Sequence, residues 1–138
     1  MSKKRILIVD DDQDLRRSLM LLLAKEFEVR EAADGEAGLR LAAGYGPHLL
    51  LLDMTMPGMT GLEVLKGVRA KCRAAAVLMF TAQTDLDLAR QALDLGASAY
   101  ITKPFDFGEL LAEVKRILEG PSPEEENRGY RPWRVAGS

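Results

Sequence analysis

Acidic side chains follow two short apolar runs in this sequence: Asp10, Asp11 and Asp12 come directly after residues 6–9, and Asp53 directly after residues 49–52. Two further runs end in other chemistry, with Thr81 after residues 74–80 and Lys103 after residues 98–102. Carboxylates brought close together repel and raise one another's pKa, so such a cluster calls for a cation. Lys103 can supply part of that charge and a divalent ion the rest. A site made of oxygen donors alone favours a hard ion, and one that keeps water positions open for a phosphate is typical of magnesium. An aspartate carboxylate can itself attack phosphorus and form an aspartyl phosphate. The charge on the equatorial oxygens during that transfer would be met by the metal, Lys103, the Thr81 hydroxyl and nearby backbone amides.

These residues are distant in sequence, so the fold must gather them. Five short β-branched or leucine-rich runs, at residues 5–10, 28–32, 48–53, 76–81 and 98–102, alternate with stretches of helical period. The first such stretch places Leu15, Leu19, Leu22 and Leu23 on one face, and the last does the same with Leu110, Leu111, Val114, Ile117 and Leu118. Thr60 with Glu63 has the form of a capping box, Asp106 with Glu109 is a close relative of it, and Asp34-Gly35 reads as the turn into the second helix. Runs one and three are apolar throughout, as strands covered on both faces require. Alternating β and α units with short connections predict an α/β fold, a five-stranded parallel sheet doubly wound with five helices. With strand order 2-1-3-4-5, strands one and three are neighbours where the order reverses, and ligands bind beyond the carboxyl ends of strands at that point. Asp10, Asp11 and Asp53 would then converge, with Thr81 and Lys103 on the adjoining strand ends.

Composition limits the alternatives. A chain of 138 residues with 19 basic and 21 acidic side chains carries a net charge of −2, which gives no global field for nucleic acid or an anionic membrane. The longest apolar run, residues 74–80, is far short of the roughly 18 residues that span a bilayer. Cys72 is the single cysteine, so neither an internal disulfide nor a cysteine-based zinc site can form. The expectation is a soluble cytoplasmic protein. From Gly120 the periodicity stops, and Pro121, Pro123, Pro132 and the triplet Glu124-Glu125-Glu126 mark residues 120–138 as a disordered tail or linker after a domain of residues 1–119.

The segments Ile6-Leu-Ile-Val-Asp10-Asp11, Leu51-Leu52-Asp53-Met54-Thr55-Met56-Pro57-Gly58, Phe80-Thr81-Ala82 and Gly96-Ala-Ser-Ala-Tyr100-Ile-Thr-Lys103-Pro104-Phe105 together resemble the receiver domain of bacterial response regulators, over roughly residues 3–118. The resemblance implies a flavodoxin-like fold and a switch in two-component or phosphorelay signalling, rather than an enzyme with external substrates. It implies that Asp53 accepts a phosphoryl group from a sensor histidine kinase or phosphotransfer protein. Asp10, Asp11, Asp53 and the backbone carbonyl of Thr55 would hold Mg2+ (or Mn2+), with Asp10 acting through a water. Thr81 and Lys103 would contact the phosphoryl oxygens, Thr81 and Tyr100 would form the switch, and the Lys103-Pro104 bond would be cis. Thr55 and Gln83 would tune the phosphate lifetime. The signal would leave through helix four, strand five and helix five to an effector protein or domain, and the family leaves room for a homodimer. One departure, Thr60 where the family often has aspartate, keeps the helix cap.

Blander readings apply elsewhere. Asp12 reads as a helix cap, Met54, Met56 and Met59 as loop packing, and His48 as structural or surface. Residues 128–134 interleave arginine with Tyr130 and Trp133, a pattern that can serve single-stranded nucleic acid, but a linker or terminus is the simpler reading. No helix-turn-helix fits there, so specific DNA binding is not expected of this chain. A second functional reading is an aspartate-nucleophile phosphatase of haloacid-dehalogenase type, suggested by Asp53-Met-Thr55 after an apolar strand. Against it, the acidic pair precedes the nucleophile and there is no cap domain to enclose a substrate. A dinucleotide-binding domain is weaker still, because no glycine loop follows the first strand.

Overall fold

In the computed structural model, residues 3–72, 74–82, 84–120 and 135–136 are described. The apolar runs form β1 (Arg5–Val9), β2 (Glu28–Ala32), β3 (Leu49–Asp53), β4 (Ala76–Ala82) and β5 (Ala99–Lys103). The helical stretches form α1 (Gln13–Leu23), α2 (Gly35–Tyr45), α3 (Gly61–Lys71), α4 (Leu86–Asp94) and α5 (Phe107–Glu119). All strands pair parallel, in the order β2-β1-β3-β4-β5 that the sequence implies. A sixth strand, β6 (Val135–Ala136), extends the sheet by pairing parallel with Tyr100 and Ile101. No strand is expected there from sequence, since two residues carry no periodicity and only pairing to the β5 edge defines them. Residues 121–134 of the expected tail, with Tyr130 and Trp133, and residues 137–138 lie outside the described residues.

Alternation along each strand divides the core between the two faces of the sheet. Leu7, Val9, Leu50, Leu52, Val77 and Met79 pack with α2, α3 and α4 residues such as Ala42, Val64, Val68 and Ala92. Ile6, Ile8, Leu49, Leu51, Leu78 and Phe80 pack with Leu19 and Leu23 of α1 and Leu110 and Val114 of α5. Complete burial of a leucine or isoleucine side chain is worth about 2 kcal/mol, so the central strands are where the fold is held hardest. β2, at the sheet edge, reads Glu-Val-Arg-Glu-Ala and is largely exposed.

Helix starts are set by local side chains. Asp12 accepts from the Leu15 N–H at 3.1 Å, Asp34 from Ala37 at 2.8 Å and Asp106 from Glu109 at 3.1 Å. Thr60 and Glu63 form the reciprocal capping box, at 3.2 and 3.1 Å. Gly35, read as a turn, is the first residue of α2 after its Asp34 cap. α4 is the exception among the five helices, because its N-cap Asp85 makes no side-chain capping bond. Several boundaries shift by one residue from the sequence reading. β1 ends at Val9, leaving Asp10 just beyond it with its N–H bonded to the Ala32 carbonyl at 3.2 Å, while Lys103 is the last residue of β5 rather than the first after it. Met54 and Met56 are buried in the core and Met59 packs against it.

Candidate functional site

The carboxyl ends of β1, β3 and β5 bring Asp10, Asp53 and Lys103 together. Lys103 Nζ lies 3.0 Å from Asp10 Oδ2 and 3.5 Å from Asp53 Oδ1. Asp10 is fully buried and Asp53 is 5% exposed, while Asp11 is exposed at the rim. One oxygen from each of Asp10, Asp11 and Asp53 falls within 4.8 Å of the others, a spacing at which a single cation could be shared. The donors are all hard carboxylate oxygens, which fits Mg2+ or Mn2+ and not a thiophilic metal.

Backbone amides hold these carboxylates in place. The Asp12 N–H donates to Asp10 Oδ1 at 2.9 Å, and the Thr55 N–H donates to Asp53 Oδ1 at 3.2 Å. Gly61 matters to the same loop, because a Cβ there would meet the Asp53 carbonyl oxygen at 2.5 Å and Met54 Cα at 2.6 Å. Only glycine lets the start of α3 close over the end of β3.

Electrostatics leave the cluster short of positive charge. Burial first, then the neighbouring Asp10, push the Asp53 carboxyl from 3.8 up to about 6, although Lys103 and the Thr55 amide pull it back. For Lys103, burial alone would lower the pKa, but Asp10 and Asp53 together outweigh it and hold the ammonium above its ordinary value. The lysine therefore stays charged and pairs with Asp10 and Asp53, while Asp11 belongs to the same cluster.

Thr81 is almost completely buried, with its single hydroxyl proton shared between the Ala82 carbonyl at 3.3 Å and the Asp85 carbonyl at 3.5 Å. It is thus engaged with the start of α4 rather than with the carboxylates. Tyr100 is half-buried on β5, beside Met79 of β4, and packs against the α2, α3 and α4 side of the core. The Lys103-Pro104 peptide bond is cis. Gln83 lies outside the described residues. His48 sits at the opposite end of the sheet, accepting the Arg5 N–H on Nδ1 at 2.9 Å, so it takes no part in the cluster.

The response regulator receiver domain profile matches residues 6–115. The chain belongs to that family. This receiver domain is 38% identical over 130 residues to the uncharacterized transcriptional regulatory protein YkoG of Bacillus subtilis, covering 94% of this chain and 57% of YkoG, so it spans little more than half of that relative's length. It is 37% identical over 119 residues to sporulation initiation phosphotransferase F of Bacillus subtilis, covering 86% of this chain and 96% of that protein. Among solved structures it is similar to CheY in the CheX–CheY–BeF3–Mg2+ complex of Borrelia burgdorferi, with a TM-score of 0.78 and 28% identity over 83% of this chain and 89% of that one.

Two residues that shape the site are missed by sequence reasoning. Gly61 reads only as part of a helix start, and its close approach to Asp53 is a tertiary fact. Arg16 donates from Nη1 to the Asp10 carbonyl and from Nε to Glu31, both at 2.7 Å. A signal for it exists in the sequence: a cation in the first turn of a helix opposes the helix dipole, so it asks for a partner elsewhere.

Proposed function

We propose that this receiver domain is a phosphorylation switch in which Asp53 accepts a phosphoryl group from a phosphohistidine on a sensor kinase or phosphotransfer protein in the cytoplasm. The observation that carries this reading is the nearly buried Asp53 carboxylate, within reach of Lys103 at 3.5 Å and sharing a cation-sized space with Asp10 and Asp11. An Asp53 carboxylate oxygen forms the new O–P bond as the P–N bond breaks, and the electron pair stays on the imidazole nitrogen, which takes a proton from solvent. Asp10, Asp11, Asp53 and the Thr55 carbonyl would hold Mg2+ or Mn2+, which when bound neutralises charge on the phosphoryl oxygens. Lys103 meets the same charge from the β5 side. A cleft of about 390 Å3 lined by Asp12, Leu15, Lys103, Pro104, Phe105 and Phe107 gives a donor protein an apolar approach on that side.

The output begins at Thr81. A phosphoryl oxygen that draws its hydroxyl inward competes with the bonds to Ala82 and Asp85, and Asp85 is the N-cap of the one helix here without a side-chain cap. Thr81 release therefore loosens α4, Tyr100 follows into the space, and the α4, β5 and α5 face changes for an effector. The shift can be no larger than the difference in affinity of the phosphoryl group for the two states. Thr55 and Gln83 tune how long the phosphate survives. Residues 1–119 act as the switch, a division supported by the end of α5 at Glu119, and 120–138 as a tail or linker of which Val135–Ala136 pairs with β5.

The test is intact mass after incubation with acetyl phosphate and Mg2+. Wild type should gain one phosphoryl group and Asp53→Asn none; equal gain in the variant would overturn the assignment. Sustained turnover of p-nitrophenyl phosphate would favour the phosphatase reading instead.

A further inference from the structure

The acidic cluster depends on the backbone that links β1 to α1, and one side chain outside that link grips it. Arg16 is in the first turn of α1, where the partial positive charge of the helix end disfavours a cation. Its guanidinium is nonetheless held, with a side chain only 12% exposed. Nη1 donates to the Asp10 carbonyl at 2.7 Å, and Nε donates to Glu31 Oε1 on β2 at 2.7 Å. The Asp10 N–H is taken at the same time by the carbonyl of Ala32, the residue after Glu31, at 3.2 Å. Both backbone polar groups of Asp10 are therefore anchored, one directly to β2 and the other through Arg16. The carbonyl of Asp10 belongs to the peptide unit that carries Asp11, so the orientation of that unit sets where the exposed Asp11 carboxylate stands relative to buried Asp10.

We propose that Arg16 is a positioning residue for the divalent-cation site, acting through the Asp10-Asp11 peptide without touching the ion. The inference rests on the metal reading above and names a residue on which that site depends. Simple electrostatics predicts the opposite sign, because deleting a positive charge beside a carboxylate cluster should tighten cation binding. Lysine is not an adequate replacement, since a single ammonium on a flexible stem lacks the planar fork that reaches two acceptors in fixed directions.

The experiment is Mn2+ titration of the full chain, followed by the electron paramagnetic resonance signal of the free ion, with metal-free melting measured in parallel. Arg16→Lys and Arg16→Gln should each bind Mn2+ about tenfold more weakly than wild type, the lower end of what outer-shell substitutions cost. Affinity within twofold of wild type, or tighter, would overturn the proposal, and a change confined to the metal-free melting temperature would mean that Arg16 only braces the fold. Should neither variant fold, Glu31→Ala loosens the arginine from the β2 side, and unchanged Mn2+ affinity there would overturn it equally. Wild type that binds no Mn2+ would instead remove the metal reading itself, an outcome separate from wild type and variants binding alike.

Discussion

At the amino end of β1 and β3, Arg5 donates its N–H to His48 Nδ1 and its Nε to the Gly46 carbonyl, each at 2.9 Å. Burial first, then the cations Arg5 and Lys4, hold His48 below its ordinary pKa, so the imidazole is neutral and its nitrogen is free to accept. At the carboxyl end of the same two strands, Asp10 and Asp53 share one Lys103, with Asp11 beside them. At one end Arg5 is bonded within the chain. The other keeps more negative charge than its own chain neutralises, and it is also the end where strand order reverses. The second therefore holds a charge deficit that a cation or a phosphoryl chemistry can use.

That contrast can be broken at the carboxyl end most severely by Lys103→Met. Loss of a charged donor to the transferring group should slow phosphorylation by acetyl phosphate on the order of 100-fold, read as the initial rate of mass gain. A rate within a few-fold of wild type would show that Lys103 serves structure alone.

A smaller effect of unusual sign sharpens the contrast in metal-free protein. The Asp53 carboxyl titrates at about 6 when folded against 3.8 ordinarily, so the folded protein holds the proton more tightly than the unfolded chain. Stability from this group therefore falls as pH rises between about 4 and 6 and stays low above. Asp53→Asn, which removes the ionisation, should stabilise the chelator-treated protein at pH 7 by about 3 kcal/mol in urea unfolding, and the gain should vanish towards pH 4. A gain that persists unchanged at low pH would remove burial of charge as its cause.

The least effect is expected at the amino end. His48→Ala removes one acceptor from the Arg5 amide and should cost about 1 kcal/mol of stability. It should leave the rate of Asp53 phosphorylation unchanged, and a slowed rate would mean that the two ends are coupled.

Much of this was legible beforehand because the informative signals are local. Apolar runs of strand length, amphipathic spacing in α1 and α5, and the caps at Asp12, Thr60 and Asp106 all act within a few residues of themselves. The acids at strand ends were legible for a related reason: a parallel α/β sheet has one ligand edge, so finding the strands finds the edge. The features that local sequence does not show act across long sequence separations. Arg16 reaches Asp10 only because β2 supplies Glu31 beside it, and Gly61 is needed only because α3 closes on the end of β3. β6 is of the same kind, as Val135 and Ala136 become a strand only by meeting β5.

The sequence alone determined which chemical groups stand at the strand ends, namely the carboxylates of Asp10, Asp11 and Asp53, the Thr81 hydroxyl and the Lys103 ammonium. It also determined the family. The tertiary structure decided how those groups stand toward one another: Lys103 lies closer to Asp10 than to Asp53, Thr81 is bonded to the start of α4, and Arg16 holds the Asp10 backbone. Residue type sets what a group can do, but pKa, affinity and the direction of a switch depend on distances and burial, and those exist only once the chain has packed.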